Sequence, residues 1–209
     1  APKIFTACFH NNGQTCAALK RLYVHESQYD EMCEELATLA RNVTVGDGME
    51  EGTELGPVQN AAQFGIVSDL AESARADGGR FLAGGQAMDR DGYFFEPTIV
   101  ADLSDGSRLV DEEPFGPILP IVKYSDVEDV IQRANANERG LGGSVWSSDT
   151  DKAIAFAQRL ECGSAWVNQH GSIQPDAPFG GVKQSGIGVE FGLYGLEEYT
   201  SIQTLNVAK

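Results

Sequence analysis

Short β-rich runs alternate with amphipathic helical runs along most of this chain, and this alternation limits its possible folds more than any other feature of the sequence. Strands are predicted at residues 22–24, 80–83, 93–100, 118–124, 142–147 and 165–168. Helices are predicted at residues 27–43, 61–77, 125–134 and 151–160, from apolar positions spaced three and four apart. Repeated strand–helix–strand units are typical of an α/β fold with a largely parallel sheet and helices on its faces.

Local signals refine the ends of these elements. Ser27, with Asp30 three residues later, predicts that the first helix begins with an approximate capping box. Ser125 and Glu128 predict a similar start for the third helix. Because Pro97 lacks a backbone N–H, it interrupts the third strand and predicts that this strand lies at the edge of the sheet.

The charge balance limits what the chain can bind. It carries 15 Lys and Arg residues against 31 Asp and Glu residues, a net charge of −16 over 209 residues. A surface this acidic repels phosphate backbones and anionic lipids, so neither a nucleic-acid role nor a membrane-surface role is expected. No apolar run approaches the roughly 18 residues that a membrane span requires. We therefore expect a soluble protein built on one large domain.

The cysteines and histidines show no metal-ligand spacing. Cys8, Cys16, Cys33 and Cys162 form no CxxC pair, and the three histidines form no HExxH pattern. Neither a disulfide framework nor a metal site is predicted from this spacing. Reduced cysteines and the lack of signal-peptide character at the start of the sequence predict a cytoplasmic protein.

The end of the sequence differs from the rest. It predicts a short helix after Glu190 and then a strand around residues 199–207, with no partner nearby in the sequence. A terminal strand of this kind often pairs with another domain or another subunit. We therefore predict one domain at residues 1–190, followed by a C-terminal helix and strand at residues 191–209.

The run FHNNGQTC at residues 9–16 ends in a cysteine. Small residues follow Cys16 and give access to it, and N–H groups in a turn that contains glycine can stabilise an oxyanion. Cys16 is therefore a candidate nucleophile. A structural cysteine buried near a loop would explain the same residues.

A rigid turn is predicted for the run EEPFGP at residues 112–117. Its prolines and glycine place Glu113 and Phe115 two residues apart. A carboxylate can bind ribose hydroxyls, and an aromatic face can support a flat ring. From these residues alone, an acidic surface turn whose phenylalanine fills the core is the favoured interpretation.

A third notable run, PFGGVKQSGIG at residues 178–188, is rich in glycine. It matches neither GxGxxG nor GxxxxGK[ST], the patterns of phosphate-binding loops. A nucleotide phosphate site is therefore not predicted here.

Together, these three runs resemble the NAD(P)-dependent aldehyde dehydrogenase family. NGQTC is similar to the active-site cysteine motif of the family, EPFGP to its E-x-F-G-P cofactor turn, and PFGGVKQSG to its P-F-G-G-x-K-x-S-G stretch. The runs also have the order and the wide spacing of the family, from about residue 9 to the C-terminus. The resemblance implies an α/β catalytic domain of this family, entered midway along the family's chain.

The resemblance also implies roles for individual residues. Cys16 would attack the carbon of a small aldehyde, and hydride transfer to the cofactor would leave a thioester that water hydrolyses to a carboxylic acid. Glu113 would bind the ribose beside the nicotinamide, Phe115 would pack against that ribose and ring, and Gln63 would lie near the adenine ribose. The positions that line the family's substrate tunnel are His10, Ile173 and Phe179.

The family pattern implies what lies outside these residues as well. The general-base glutamate, the oxyanion-hole asparagine and the cofactor-binding domain are expected upstream of Ala1, so this chain alone is expected to be inactive. NAD is the expected cofactor because it is the commoner one, and NADP is possible. The C-terminal strand implies a homo-oligomer.

Two other functions agree with parts of the sequence. The lack of a general base and the unpaired terminal strand also suit a standalone, non-catalytic binding or assembly module derived from the same fold. A cysteine hydrolase would need a His–Cys pair, and His10 lies six residues before Cys16 with no orienting acid evident.

Overall fold

The longest strand of the structure, β4 (Ile118–Tyr124), lies inside a four-stranded sheet in the first of two units. The structure is a computed structural model that describes residues 1–209, and it divides into units at residues 1–134 and 135–209. The division between these two units does not coincide with the predicted domain boundary at residue 190, which stays a prediction.

The first unit is built around this sheet. In chain order its elements are α1 (Pro2–Phe9), β1 (Leu22–His25), α2 (Tyr29–Asn42), α3 (Ala61–Ala76), β2 (Arg80–Ala83), β3 (Thr98–Ala101), α4 (Arg108–Asp111), β4 and α5 (Val127–Ala136). The strand order is β1-β4-β3-β2, with β1 and β3 parallel to β4 and β2 antiparallel to β3. Short 3₁₀ turns at His10–Gly13 and Glu26–Gln28 precede β1 and α2.

Helices cover the parallel strands and bury them. Val67 and Leu70 of α3 join Val100 of β3 and Val122 of β4 in one apolar cluster. Burial of each such side chain contributes about 1.5–3 kcal/mol. α2 contacts β1, β2 and β3 through buried side chains that lie outside this cluster. The predicted α/β fold with a largely parallel sheet is confirmed.

The two predicted capping boxes are wrong. His25 caps the short 3₁₀ turn Glu26–Gln28, α2 has no side-chain cap, and a neighbouring residue caps α5. The backbone N–H of Ser27 donates to Nδ1 of His25 at 3.2 Å, and α2 begins two residues later. At the start of α5, Asp126 accepts a hydrogen bond from the backbone N–H of Asp129 at 2.8 Å. A carboxylate one position closer to the helix thus takes the place of the Ser125 hydroxyl.

The third predicted strand begins later and lies deeper than expected. β3 is fully buried and lies between β2 and β4, so the prediction of an edge strand is wrong. Pro97 stands immediately before the strand, where its missing N–H removes no hydrogen bond between strands. The backbone N–H of Thr98 donates to the carbonyl oxygen of Pro117 at 2.9 Å, so pairing begins directly after the proline.

The second unit is smaller and has two short strand pairs. Its elements are β5 (Arg139–Gly140), β6 (Gly142–Val145), α6 (Thr150–Ala157), β7 (Ser164–Val167), β8 (Val182–Lys183) and α7 (Gly192–Glu197). β6 and β7 are parallel, whereas β5 and β8 are antiparallel. Residues 199–207 pair with no strand of this chain, and the predicted strand that pairs with another subunit stays a prediction. Every helix in the chain is too short or too polar to cross a lipid bilayer.

Candidate active site

Cys16 lies on a tight turn between α1 and β1. The backbone N–H of Ala18 donates to the carbonyl oxygen of Thr15 at 2.9 Å, which closes the turn around Cys16. Cys16 is exposed, and its backbone N–H makes no hydrogen bond within the chain. One residue therefore offers both an accessible thiol and an unpaired N–H donor, the two groups that covalent catalysis at a carbonyl requires.

The other cysteines are shielded from solvent and contribute to no metal site. Cys8 and Cys33 are buried, and Cys162 is half-buried. Burial raises the pKa of the Cys33 thiol to about 11, and it raises the pKa of Cys8 and of Cys162 as well. These thiols therefore stay protonated at neutral pH. Cys16 is the only exposed thiol of the four, so it is the one that a substrate can reach. No group of three or more His, Cys, Asp or Glu side chains is arranged to hold a metal ion.

The cysteine segment (residues 11–20) lies directly against the EPFGP turn (residues 113–117). Asn11, Asn12 and Gly13 have φ angles of 51°, 59° and 71°, so three consecutive residues have left-handed backbone. A Cβ atom on Gly13 would overlap the carbonyl oxygen of Gly116. Only glycine combines this backbone conformation with so close an approach, which explains why the NGQTC run contains one.

Lys20 connects the cysteine segment to the EPFGP turn a second time. Its Nζ donates to the carbonyl oxygens of Thr15, Cys16 and Ala18 at 3.1, 2.9 and 3.3 Å. The same Nζ lies 2.9 Å from Oε1 of Glu113. The Lys20 side chain is only 19% exposed, so these partners rather than water satisfy its ammonium group.

A longer path through α3 joins the same two segments. Oε1 of Gln14 accepts a hydrogen bond from the backbone N–H of Gln59 at 2.8 Å. Asn60 caps α3 by accepting from the backbone N–H of Gln63 at 2.9 Å. Nε2 of Gln63 then donates to the carbonyl oxygen of Pro114 at 2.7 Å. The cysteine segment, the start of α3 and the EPFGP turn therefore form a closed ring of contacts.

The EPFGP turn presents groups that suit a nucleotide. Oε1 of Glu113 is paired with Lys20, and Oε2 makes no hydrogen bond to another residue, which leaves an acceptor for a hydroxyl. The Phe115 side chain is half-buried, and the residue has a left-handed φ of 44°. Its ring centre lies 5.9 Å from Nζ of Lys20. A part-exposed carboxylate can bind a ribose, and a part-exposed aromatic ring beside it can support a flat ring. These two residues therefore fit a cofactor that contains both groups.

The remaining predicted site residues are not members of this ring. His10 is exposed at the end of α1, and its side chain makes no hydrogen bond, so no His10–Cys16 pair of the kind that a cysteine hydrolase needs is formed. Ile173 and Phe179 belong to the second unit. Ile173 is 45% exposed, and the backbone of Phe179 is paired with that of Glu190. The structure thus brings together Cys16 with the predicted cofactor residues, all of them in the first unit.

The sequence analysis missed Lys20 and Gln14. Lys20 lies only four residues after Cys16, but its carboxylate partner is far along the chain. Gln14 is part of the recognised run, yet its side chain contacts the segment before α3. The only local signal was a lysine that follows a reactive thiol closely in an otherwise acidic chain.

Comparisons with known proteins agree with this geometry. The model of the aldehyde dehydrogenase family matches residues 1–205. The retinaldehyde dehydrogenase 3 of Rattus norvegicus is 40% identical to this chain over 199 residues. The mitochondrial aldehyde dehydrogenase of the same organism is 39% identical to it over 201 residues. These alignments cover 95% and 96% of this chain and 39% of each relative.

Solved structures give the same result. The NAD+ complex structure of an aldehyde dehydrogenase from Bacillus cereus has a TM-score of 0.92 and 37% sequence identity, over 96% of this chain and 41% of that one. The chain therefore spans about two fifths of the length of these relatives. Because the family model matches nearly all of its residues, the chain belongs to the aldehyde dehydrogenase family.

Proposed function

We propose that this chain is the catalytic portion of an enzyme that oxidises an aldehyde to a carboxylic acid with NAD or NADP. The observation that carries the proposal is the exposed Cys16 thiol with its unpaired backbone N–H, held against a turn that can bind a nucleotide. Family membership and the NAD+ complex of the Bacillus cereus relative support the choice of reaction and cofactor.

Cys16 supplies the covalent chemistry in this proposal. Its thiolate adds to the aldehyde carbon and forms a C–S bond, while the electron pair of the C=O bond moves to oxygen. The backbone N–H of Cys16 donates to that oxyanion. NAD or NADP, when bound, would supply a hydride acceptor, and loss of the hydride from the Cys16 adduct would leave a thioester on Cys16. Water then attacks the thioester, the acid leaves, and the thiol is regenerated.

The EPFGP turn supplies the cofactor contacts. Oε2 of Glu113 would accept from hydroxyls of the ribose beside the nicotinamide, and Phe115 would pack against that ribose and ring. Gln63 is more restricted than the sequence suggested, because one of its two amide N–H groups already donates to Pro114. Its Oε1 atom and its second amide N–H remain for the adenine ribose, so we assign Gln63 to the support of the turn as well as to the cofactor.

The substrate contacts are proposed from the family pattern. His10, Ile173 and Phe179 line the path of the aldehyde, and the exposure of His10 and Ile173 is consistent with contact to a small molecule.

All four cysteines are free, which supports a reducing compartment such as the cytoplasm.

Self-association through the C-terminus is the partner proposal. Tyr199, Ile202, Leu205 and Val207 are 79–99% exposed, although all four are large and apolar. Such side chains favour burial against another surface. A second copy of the chain is the proposed partner.

The decisive experiment measures NADH formation with a panel of short aldehydes, using the complete gene product that carries these residues. We expect turnover in the natural protein and a fall in kcat of about 10³-fold or more in Cys16→Ala, because the nucleophile is lost. Cys162→Ala is the matched control, since it removes a half-buried thiol of the second unit and is expected to retain activity.

Two results would contradict the proposal. Oxidation that survives Cys16→Ala would show that another group forms the covalent bond. A natural protein that forms stable oligomers, binds no NAD and oxidises none of the aldehydes would instead favour a non-catalytic assembly module.

A further inference from the structure

We propose that Lys20 is a positioning residue that orients and polarises the peptide group between Thr15 and Cys16, and so sets the strength of the N–H donor that meets the oxyanion. This inference rests on the proposed function, because it assigns a role to the same N–H group. It concerns a residue outside the three recognised motifs.

The position of the Lys20 ammonium carries the inference. Its Nζ lies 3.1 Å from the carbonyl oxygen of Thr15, and that oxygen also accepts the N–H of Ala18. In a trans peptide, the C=O of Thr15 and the N–H of Cys16 belong to one planar group and point in opposite directions. The chain contains no cis peptide bond. Fixing the Thr15 oxygen therefore fixes the direction of the Cys16 N–H.

Charge adds to this orientation. A cation at the oxygen end of a peptide group draws electron density toward that oxygen and makes the N–H at the other end a stronger donor. The Lys20 side chain is 19% exposed, so water screens its charge only partly. A neutral side chain at this position would leave only the Ala18 bond to hold the Thr15 oxygen and would remove the polarisation.

The ion pair with Glu113 links this donor to the cofactor turn. Three N–H bonds of the ammonium face four acceptors, the carbonyl oxygens of Thr15, Cys16 and Ala18 and the Glu113 carboxylate. Because the carboxylate is shared with the proposed ribose contact, loss of Lys20 changes cofactor binding as well. We expect both kcat and the KM for NAD to respond to this residue.

The test compares two reactions of Cys16 in the complete gene product. Aldehyde oxidation develops charge on oxygen and needs the N–H donor, whereas alkylation by iodoacetamide displaces iodide from carbon and does not. For Lys20→Met we expect kcat to fall about 10-fold, because the N–H donor is weakened but not removed. We expect the alkylation rate of Cys16 to change less than about 3-fold. Lys20→Arg keeps the charge and is expected to recover most of the loss.

Control variants separate this role from a general structural effect. Lys152→Met removes an exposed lysine whose ion pair is with Asp149, and it is expected to change neither reaction. Parallel losses of oxidation and alkylation in Lys20→Met would show that Lys20 only maintains the shape of the segment, and unchanged oxidation would show that it has no role; either result overturns the inference.

A second readout does not depend on turnover. In ¹⁵N-labelled protein the amide proton of Cys16 is expected to move upfield in Lys20→Met and to return toward its natural position in Lys20→Arg, because polarisation deshields this proton. An unmoved resonance overturns the inference. A natural protein that oxidises no aldehyde contradicts the proposed function instead, and the amide resonance still decides the role of Lys20.

Discussion

The cysteine segment and the C-terminal segment (residues 191–209) are held in opposite ways. The first is bonded to residues far along the chain, through Gln14 to the segment before α3 and through Lys20 to Glu113. In the second, no residue after Thr200 makes a hydrogen bond, and Thr200 bonds only to Glu197. Large apolar side chains are buried around the first and exposed in the second.

This difference separates two kinds of dependence. The geometry around Cys16 is set by contacts within the first unit, so a substitution there changes stability and chemistry together. Residues 201–209 of the C-terminal segment make no hydrogen bonds and are exposed, so a substitution there leaves the stability of the second unit nearly unchanged. Any effect of such a substitution must therefore come from a surface that the segment meets elsewhere.

The largest expected effect is on the close approach between the two motifs. Gly13→Ala places a Cβ against the Gly116 carbonyl oxygen at a left-handed φ, so we expect a loss of about 3 kcal/mol in the free energy of unfolding. Gly48→Ala is the matched control, because a Cβ at Gly48 meets no atom within 4 Å. Urea unfolding followed by circular dichroism measures both.

A cost for Gly13→Ala as small as that of Gly48→Ala would show that the segment can move away from the EPFGP turn. In that case the contact between the motifs would not be required for folding, and the contrast with the C-terminal segment would weaken.

A smaller effect is expected from opening the ring at α3. Gln63→Leu removes the donor to the Pro114 carbonyl, so we expect a loss of about 1 kcal/mol in the free energy of unfolding and a rise in the KM for NAD. Gln59→Leu is the control, because Gln59 joins the ring only through its backbone N–H. Thermal unfolding and steady-state kinetics measure the two consequences.

If Gln63→Leu raised the KM for NAD with no loss of stability, its role would be direct contact with the cofactor, as the family pattern implied. Equal effects of Gln63→Leu and Gln59→Leu would mean that the hydrogen bond to Pro114 contributes nothing.

The elements that sequence predicted well are those with strong local patterns. β2 and β4 begin and end at the predicted residues, and α3 ends one residue early, because a buried apolar run or an amphipathic stripe is a property of neighbouring residues. The edge prediction for β3 was wrong because Pro97 precedes the strand, and its place in the sheet depends on which strands pair. Helix starts were misplaced where two polar residues compete for one cap, as Ser125 and Asp126 do.

The candidate site divides in the same way. Cys16, Glu113 and Phe115 lie in recognisable runs, so they could be named from the sequence, and their catalytic and cofactor roles stay predictions. Lys20 could not be assigned a role, because that role depends on its ion pair with Glu113, and no local sequence pattern predicts this pair. The bond from Gln63 to Pro114 was hidden for the same reason.

The smallest effect on stability is expected in the C-terminal segment. Ile202 is 99% exposed, so Ile202→Ser should change the free energy of unfolding of the second unit, to which it belongs, by less than about 0.5 kcal/mol. If the segment pairs with a second copy, the same substitution removes apolar contact area and should weaken self-association about 10-fold. Sedimentation velocity over a range of concentrations measures this, with the exposed Gln203→Ser as control. Unchanged association in Ile202→Ser would place the interface on another surface. A clear loss of stability would mean that the segment packs against its own chain, and the contrast with the cysteine segment would then disappear.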